Sequence, residues 1–308
     1  MKTPLALFAY NRPDHFRQTL EALTRCARLE ECDVYIFCDA PKREEHRPKV
    51  EATRRVAREY EKILRATLIE REANVGLARS IAGETTNLCE RYGRAIIVED
   101  DLIVSPNFIN FMLSGLDRYE NDERVYQISG YRFPLLRQPK CDAFFLPLIS
   151  SWGWATWQRS WNFFEWQPMG MKELLENDLL CREFNLDDSF PFSKMLRARL
   201  NGQNDSWAIL WWYIVFQKRG LVLYPSRSLV WNAGADGSGT HKQHGLWQES
   251  RQGIVNNLQM QFKLPDVSQV DESILLDVKQ RSRKRQNSGS SLLTRLWRRM
   301  CSFFKCQV

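Results

Sequence analysis

Four short apolar runs lie within the first hundred residues, each separated from the next by a stretch of helical apolar spacing. This rhythm confines the chain to few folds. The runs are PLALFAY (4–10), DVYIFC (33–38), ATLIE (66–70) and AIIV (95–98). Between them Phe16, Leu20 and Leu23, then Val50, Val56, Ile63 and Leu64, then Leu77, Ile81 and Leu88 mark helical faces. Strand and helix alternating in this way predict βαβ units and a parallel sheet covered by helices. Ligands of such sheets bind beyond the carboxyl ends of the strands. The residues that follow the four runs are polar or charged there: Asn11 and Arg12, Asp39, Glu72 and Asn74, and the triplet Glu99, Asp100, Asp101.

The second half is less regular. RVYQISG (124–130), AFFLPLI (143–149) and GLVLYP (220–225) read as strands, and SSWGWATWQRSW (150–161) as a tryptophan-rich loop entering a helix. FSKMLRARLNG reads as a helix stopped by Gly202, and a further helix from about Ser206 to Lys218 takes Asp205 as its N-cap. Regular patterning fades from residue 263, and QRSRKRQNSGSS (280–291) has the composition of a disordered linker.

Three acids at the end of a buried strand are either a solvated turn or a divalent-cation site. Carboxylate oxygens suit Mg²⁺ or Mn²⁺, which commonly keep waters and substrate phosphates as their other ligands. The rigid frame, a buried strand before and the helix of SPNFINFML after, favours the metal.

The blocks LFAYNRP, IFCDAP, NVGLARSI, IIVEDDLIVSPNFINFM, SSWGWATW and NDSWAILWWYIVF resemble, in order, the bacterial glycosyltransferases of GT-A fold. More distantly they are similar to enzymes of the N-acetylglucosaminyltransferase I type, which carry an EDD triplet before a comparable helix entry. The resemblance covers roughly residues 3–245, and the triplet with its flanks is its specific part. It implies a single-domain α/β fold with a mixed, mostly parallel sheet flanked by helices. It also implies an inverting, metal-dependent transferase of hexosyl or N-acetylhexosaminyl groups, using Mn²⁺ or Mg²⁺ and a nucleotide-diphosphate sugar, with UDP favoured. On this resemblance Asp101 ligates the metal, Glu99 and Asp100 line the donor ribose and sugar, and Arg12 and Asp39 hold the nucleotide. Asn74 and Arg79, on the loop that Gly76 lets approach the ligand, complete the donor side; a plain helix start is the equal alternative for Glu72 to Arg79. Asp39 before a proline has a second reading as a helix N-cap.

An inverting transfer needs a carboxylate to deprotonate the acceptor hydroxyl. Asp205 in NDSW is the candidate, with Asp187 and Asp188 in NLDDSF as alternatives and a plain N-cap as the other role. His241 follows Gly234, Gly237 and Gly239 in a loop that can close over a diphosphate, and is expected in the metal shell; an exposed histidine is the other reading. Trp152 is expected to stack on an acceptor sugar, whereas Trp154, Trp157 and Trp161 belong to the core.

The formal charge of +7 is a tail property. Residues 279–308 hold nine Lys and Arg and no acid, which leaves about −2 for the remainder. A nucleic-acid role is therefore not expected. The predicted organisation is a transferase domain over 1–262, a partly disordered linker over 263–291, and a basic amphipathic helix over 292–308. Leu292, Leu293, Leu296, Trp297, Met300, Phe303 and Phe304 interleave with Arg295, Arg298, Arg299 and Lys305, a pattern that suits an anionic membrane surface or a protein partner. The longest apolar run, WAILWWYIVF, is half of the roughly 20 residues that span a bilayer. No secretory leader is recognisable, and the eight cysteines show no metal-ligand or disulfide spacing. These features place the protein in the cytoplasm, peripheral on the inner face of the membrane, extending a surface glycan on a saccharide or glycolipid acceptor. A sugar nucleotidyltransferase and a noncatalytic nucleotide-binding module are the rival readings. The first would carry a glycine-rich phosphate loop after the first strand, and FAYNRPDHF has no glycine.

Overall fold

The computed structural model describes residues 2–236 and 258–287. Its elements, in chain order, are β1 (Thr3–Ala9), α1 (Pro13–Leu23), β2 (Cys32–Cys38), α2 (Arg47–Leu64), β3 (Thr67–Glu70), α3 (Leu77–Tyr92), β4 (Arg94–Glu99), β5 (Leu102–Val104), α4 (Phe108–Arg118), β6 (Val125–Ser129), β7 (Ala143–Leu146), β8 (Trp154–Trp157), α5 (Gln158–Trp161), α6 (Met171–Glu176), α7 (Asp178–Phe184), α8 (Phe192–Leu200), α9 (Trp207–Gln217), β9 (Leu221–Pro225), β10 (Val230–Asn232) and α10 (Glu272–Asn287).

An eight-stranded sheet in the order β3-β2-β1-β4-β8-β6-β9-β7 forms the centre. β3, β2, β1 and β4 are mutually parallel; β8 is antiparallel to both β4 and β6, β9 is parallel to β6, and β7 is antiparallel to β9. Six of the eight strands thus run one way, as the expected mixed, mostly parallel α/β sheet requires. Successive strand residues face opposite sides. Leu5, Leu7, Ile96 and Val98 join the core under α1, α2 and α4, while Ala6, Phe8, Ala95 and Ile97 join the core under α3, α8 and α9. Both faces are covered, which is why these strands read as unbroken apolar runs.

Every strand read from the sequence is present, but β5, β8 and β10 were not anticipated. The tryptophan-rich segment is not a loop entering a helix. Trp154–Trp157 is an inserted antiparallel strand, fully buried, and only then does the short α5 follow. Trp154 stacks on Trp207 at 5.1 Å, so the aromatic content belongs to packing against α9. In α2, Val50, Val56 and Leu64 face the core as expected, whereas Ile63 is 59% exposed.

Residues from 263 onward are not simply a linker. α10 packs Ile274, Leu275 and Val278 into the second core, Val270 bridges to Phe145, and the Asp277 carboxylate accepts the amides of Leu136 and Arg137. The folded body therefore extends past residue 262. The tail 292–308 lies outside the described residues. Among the described residues no helix is long and apolar enough to cross a membrane.

The cap of α9 also differs from expectation. Ser206, not Asp205, holds the N-cap position, and its Oγ accepts the Ile209 amide at 3.2 Å. Ser206→Ala should therefore cost about 1 kcal/mol in urea unfolding, while Asp205→Asn should show no loss of the cap.

Candidate functional site

The order β3-β2-β1-β4 places the topological switch between β1 and β4: the chain winds outward from β1 through β2 to β3, then crosses back to lay β4 on the other side of β1. Crevices of doubly wound sheets open at this point. β1 and β4 end level there, with Phe8 beside Glu99, and the polar residues that follow both strands meet. Arg12 Nη1 donates to Asp101 Oδ2 at 2.7 Å, with side chains 21% and 17% exposed. The Tyr10 amide donates to Asp100 Oδ2 at 3.1 Å, and Thr19 Oγ1 of α1 donates to the Asp100 carbonyl. From the far side, β10 pairs with β5 and the Ala233 amide donates to the Asp101 carbonyl at 2.7 Å. Gly234 then lies over the ion pair so closely that a Cβ would stand 2.2 Å from Asp101 Oδ2 and 2.8 Å from Arg12 Nη1.

The electrostatics follow from crowding. Burial, then the Asp101 and Asp100 charges, push Glu99 well above the ordinary carboxylate range, with Arg12 pulling the other way. Asp100 is pushed up to about 7, first by burial and then by Asp101, against the pull of Arg12. Each carboxylate keeps some surface open, but the packing around the strand end leaves little water to solvate its charge.

Asp39, at the end of β2, does not cap a helix that follows it. α2 begins at Arg47, and the buried Asp39 carboxylate turns instead to the residues leading into α3. Oδ1 accepts the amides of Ala40 and Val75 at 2.9 and 3.1 Å, and Oδ2 accepts Gly76 at 3.0 Å. Asn74 Nδ2 completes the clasp by donating to the Ala40 carbonyl at 2.7 Å. Gly76 sits at φ 77, a conformation that favours glycine, so the loop needs it for backbone shape. A carboxylate has about four acceptor positions, and three are used. Arg79, in the first turn of α3, is exposed, with its guanidinium 5.4 Å from the Trp166 ring.

Asp205 precedes α9 with its Oδ1 buried and without a hydrogen-bond partner among the described residues. Burial raises its pKa, opposed by Arg199, Lys42 and Arg79, so the β2–α2 loop, the start of α3 and the end of α8 all lie within its electrostatic reach. The alternative acid Asp187 is committed elsewhere: it pairs with Lys279 at 2.9 Å beside α10, and the Lys279 contact holds its carboxyl below the ordinary range. Asp188 is exposed. Trp152 offers little surface to an acceptor, being 9% exposed and packed edge-on against Tyr131 at 4.6 Å. His241 and Lys242 lie outside the described residues.

Sequence reasoning missed three contributors. Tyr10 adjoins the Asn11-Arg12 pair and was findable: its hydroxyl contacts His46 Nδ1 at 2.6 Å and accepts the Lys42 amide. Thr19 and Arg199 carry no local signal, since each is an ordinary polar residue in a helix.

No family model matches the chain, and no curated protein matches it. Among solved structures it is similar to residues 1–349 of S. aureus TarS in complex with UDP-GlcNAc, at 14% identity and a TM-score of 0.32, over 42% of this chain and 33% of that one. It is similar to the mannosyltransferase PcManGT from Pyrobaculum calidifontis in complex with GDP-Man and Mn²⁺, at 13% identity and a TM-score of 0.35, over 50% and 44% of the two chains. A third likeness is to GalNAc-T7 with UDP, GalNAc and Mn²⁺, at 9% identity and a TM-score of 0.45, over 73% and 42%. The matches span a third to less than half of those chains. The functional reading rests on the residues of this chain.

The close approach of Gly234 gives a direct test of the site's architecture. Gly234→Ala should destabilise the protein by about 1–3 kcal/mol in guanidinium unfolding. In the Asp101→Ala background most of that cost should vanish, because the atom the methyl meets is gone. An equal cost in both backgrounds would mean that the loop does not sit over the carboxylate.

Proposed function

We propose that this protein is an inverting glycosyltransferase that moves a hexosyl or N-acetylhexosaminyl group from a nucleotide-diphosphate sugar, a UDP-sugar on our reading, to a saccharide or glycolipid acceptor. The observation that carries the proposal is the convergence, at the switch point of the sheet, of three carboxylates on one arginine. Arg12 there supplies a cation for ribose or phosphate, and Glu99 and Asp100 supply acceptors for sugar and ribose hydroxyls. Asp39 retains one acceptor position toward the nucleotide, and the clasp it forms with Asn74 fixes the loop that borders the donor.

The same residues fit a divalent cation. Three carboxyl groups face one guanidinium, and their donors are the hard oxygens that Mn²⁺ and Mg²⁺ prefer. Among the described residues no three His, Cys, Asp or Glu side chains form a complete metal cage. Such ions commonly take only one or two protein carboxylates and complete their shell with phosphates and water. Asp101 would hold the ion, and His241 is the second ligand expected from the sequence. When bound, the ion neutralises charge on the departing diphosphate.

Asp205 is the base. Its buried, unpartnered Oδ1 is available to take the acceptor proton as the hydroxyl attacks the anomeric carbon, on the face opposite the leaving nucleotide. Burial strengthens it as a base by raising its affinity for the proton. The loop after β1 supports transfer over nucleotidyl chemistry, because it has no glycine to wrap a phosphate. We place the reaction at the inner face of a bacterial membrane, in surface-glycan synthesis. The basic, apolar tail 292–308 supports that setting by composition.

The test is nucleotide release from UDP-, GDP- and dTDP-sugars, with a membrane glycolipid extract as acceptor. One donor should be consumed in an acceptor- and Mn²⁺-dependent reaction that EDTA or Asp101→Ala abolishes. Asp205→Asn should lower kcat by about 10²–10⁴-fold and leave UDP binding intact. Its Tm at neutral pH should equal or exceed that of the parent. A raised folded-state pKa means that stability is lost as pH rises past the unfolded value, and the amide has no charge to lose it through. For the same reason the acid limb of kcat/KM should lie above the ordinary aspartate range, with the rate falling as pH drops. Full activity in Asp205→Asn would remove the base assignment; UDP binding without turnover of any donor would favour a noncatalytic module.

A further inference from the structure

Around the candidate site most arginines are spent. Arg12 is paired with Asp101; Arg71 with Glu84 and Ser80; Arg54 with Glu51 and the Arg71 carbonyl. Arg197, on α8, donates to the Leu175 carbonyl. Two arginines break this rule. The guanidinium of Arg199, in the last turn of α8, makes no ion pair or hydrogen bond with the described residues, and its Nε is buried without a partner. Arg79 likewise makes no ion pair, and its described contact is the Trp166 ring.

Both guanidiniums lie within the field of Asp205 and of each other. α3, which carries Arg79, touches α9, which Asp205 precedes. One carboxylate cannot neutralise two guanidiniums. Asp205 Oδ1 accepts no bond from either, and the buried Arg199 Nε makes none with the described residues. A guanidinium left with open donors in partly desolvated surroundings is matched by a planar or tetrahedral oxyanion.

We propose that the acceptor is anionic, with a phosphate or carboxylate group near the hydroxyl to be glycosylated, bound by Arg199 and Arg79. This deepens the glycosyltransferase reading and rests on it. The cations belong to the acceptor rather than the donor because of where they stand. The groups that would neutralise the donor diphosphate are at the ends of β1 and β4, whereas Arg199 and Arg79 lie within the field of the base, and the base must touch the acceptor hydroxyl. Arg79, expected from sequence on the donor side, is thereby assigned to the acceptor.

The experiment measures binding of three probes, glucose, glucose 6-phosphate and glucuronate, to the full chain with UDP and Mn²⁺ present, and separately titrates UDP. At least one charged sugar should bind about tenfold or more tighter than glucose, the gain of a charge-assisted contact, and their ranking tells phosphate from carboxylate. In Arg199→Gln that preference should fall to near unity, with Arg199→Lys retaining part of it. Arg79→Gln, at an exposed position where folding is not at issue, should reduce it several-fold. UDP affinity should not change in any of them. Equal binding of the three sugars, binding of none, or a preference that survives both glutamine variants would overturn the proposal. A protein that binds no UDP yet keeps the arginine-dependent preference would remove the transferase reading and leave the anion site standing.

Discussion

The structure turns on how an acidic strand end is tolerated inside a doubly wound sheet. β4 is buried on both faces and ends in Glu99, Asp100 and Asp101, whose charges have little water and much of each other. Left alone, such a cluster would take up protons or push the strand end into solvent. It is held by four tethers from four places: the Arg12 guanidinium, the Tyr10 amide, the Thr19 hydroxyl and the Ala233 amide. Two grip side chains and two grip main-chain carbonyls. The connection after β1, the packing of α1 and the β5–β10 pair are thus all constrained by one need, to keep the acids where they are.

The neighbouring strand shows the same logic in milder form. Asp39 ends β2 as one acid among amides, and three N–H groups satisfy it. Its bonds draw the entry of α3 against the end of β2, so the rim from β1 to α3 is fixed before any ligand arrives. A site of this kind spends little conformational entropy when it binds. Arg54 and Arg71, which bond the Arg71 carbonyl and Glu84 respectively, contribute to the same rigidity.

How much of this was legible in the sequence depended on whether the signal was local. β1, β2, β3 and β4 are continuous apolar runs closed by polar residues, and both the sheet and the rim follow from them. The triplet and Arg12 were legible because each directly follows such a run. β8 was not: its four residues, Trp154 to Trp157, gain strand character only by pairing with β4 and β6, and tryptophans at those intervals fit a helix equally well. α10 was hidden by composition, since three buried apolar residues sit among charges that read as linker. Asp205 looked like a cap because it precedes a helix, but the neighbouring Ser206 makes the bond, and only coordinates could tell which of two adjacent polar side chains turns back. Trp152 was expected at a surface that the fold, through Tyr131, covers.

The acids of this protein are treated in two ways, and the contrast separates scaffold from chemistry. At β4 and β2 the carboxylates of Asp39, Asp100 and Asp101 each accept a bond from a donor within the fold, as buried polar groups ordinarily do. Before α9 it is not: Asp205 keeps an unpartnered oxygen beside Arg199, whose own Nε is unpartnered, although their charges are opposite and each lies in the other's field. A fold that needed only stability would close that pair, or replace it with apolar groups at little cost. Keeping the acid and the cation apart leaves each with an open position toward a third group. A hydroxyl that gives its proton to Asp205, on a molecule whose anion meets Arg199, would fill both at once. On the reading proposed above, the unsatisfied pair is the part of the structure that a substrate completes.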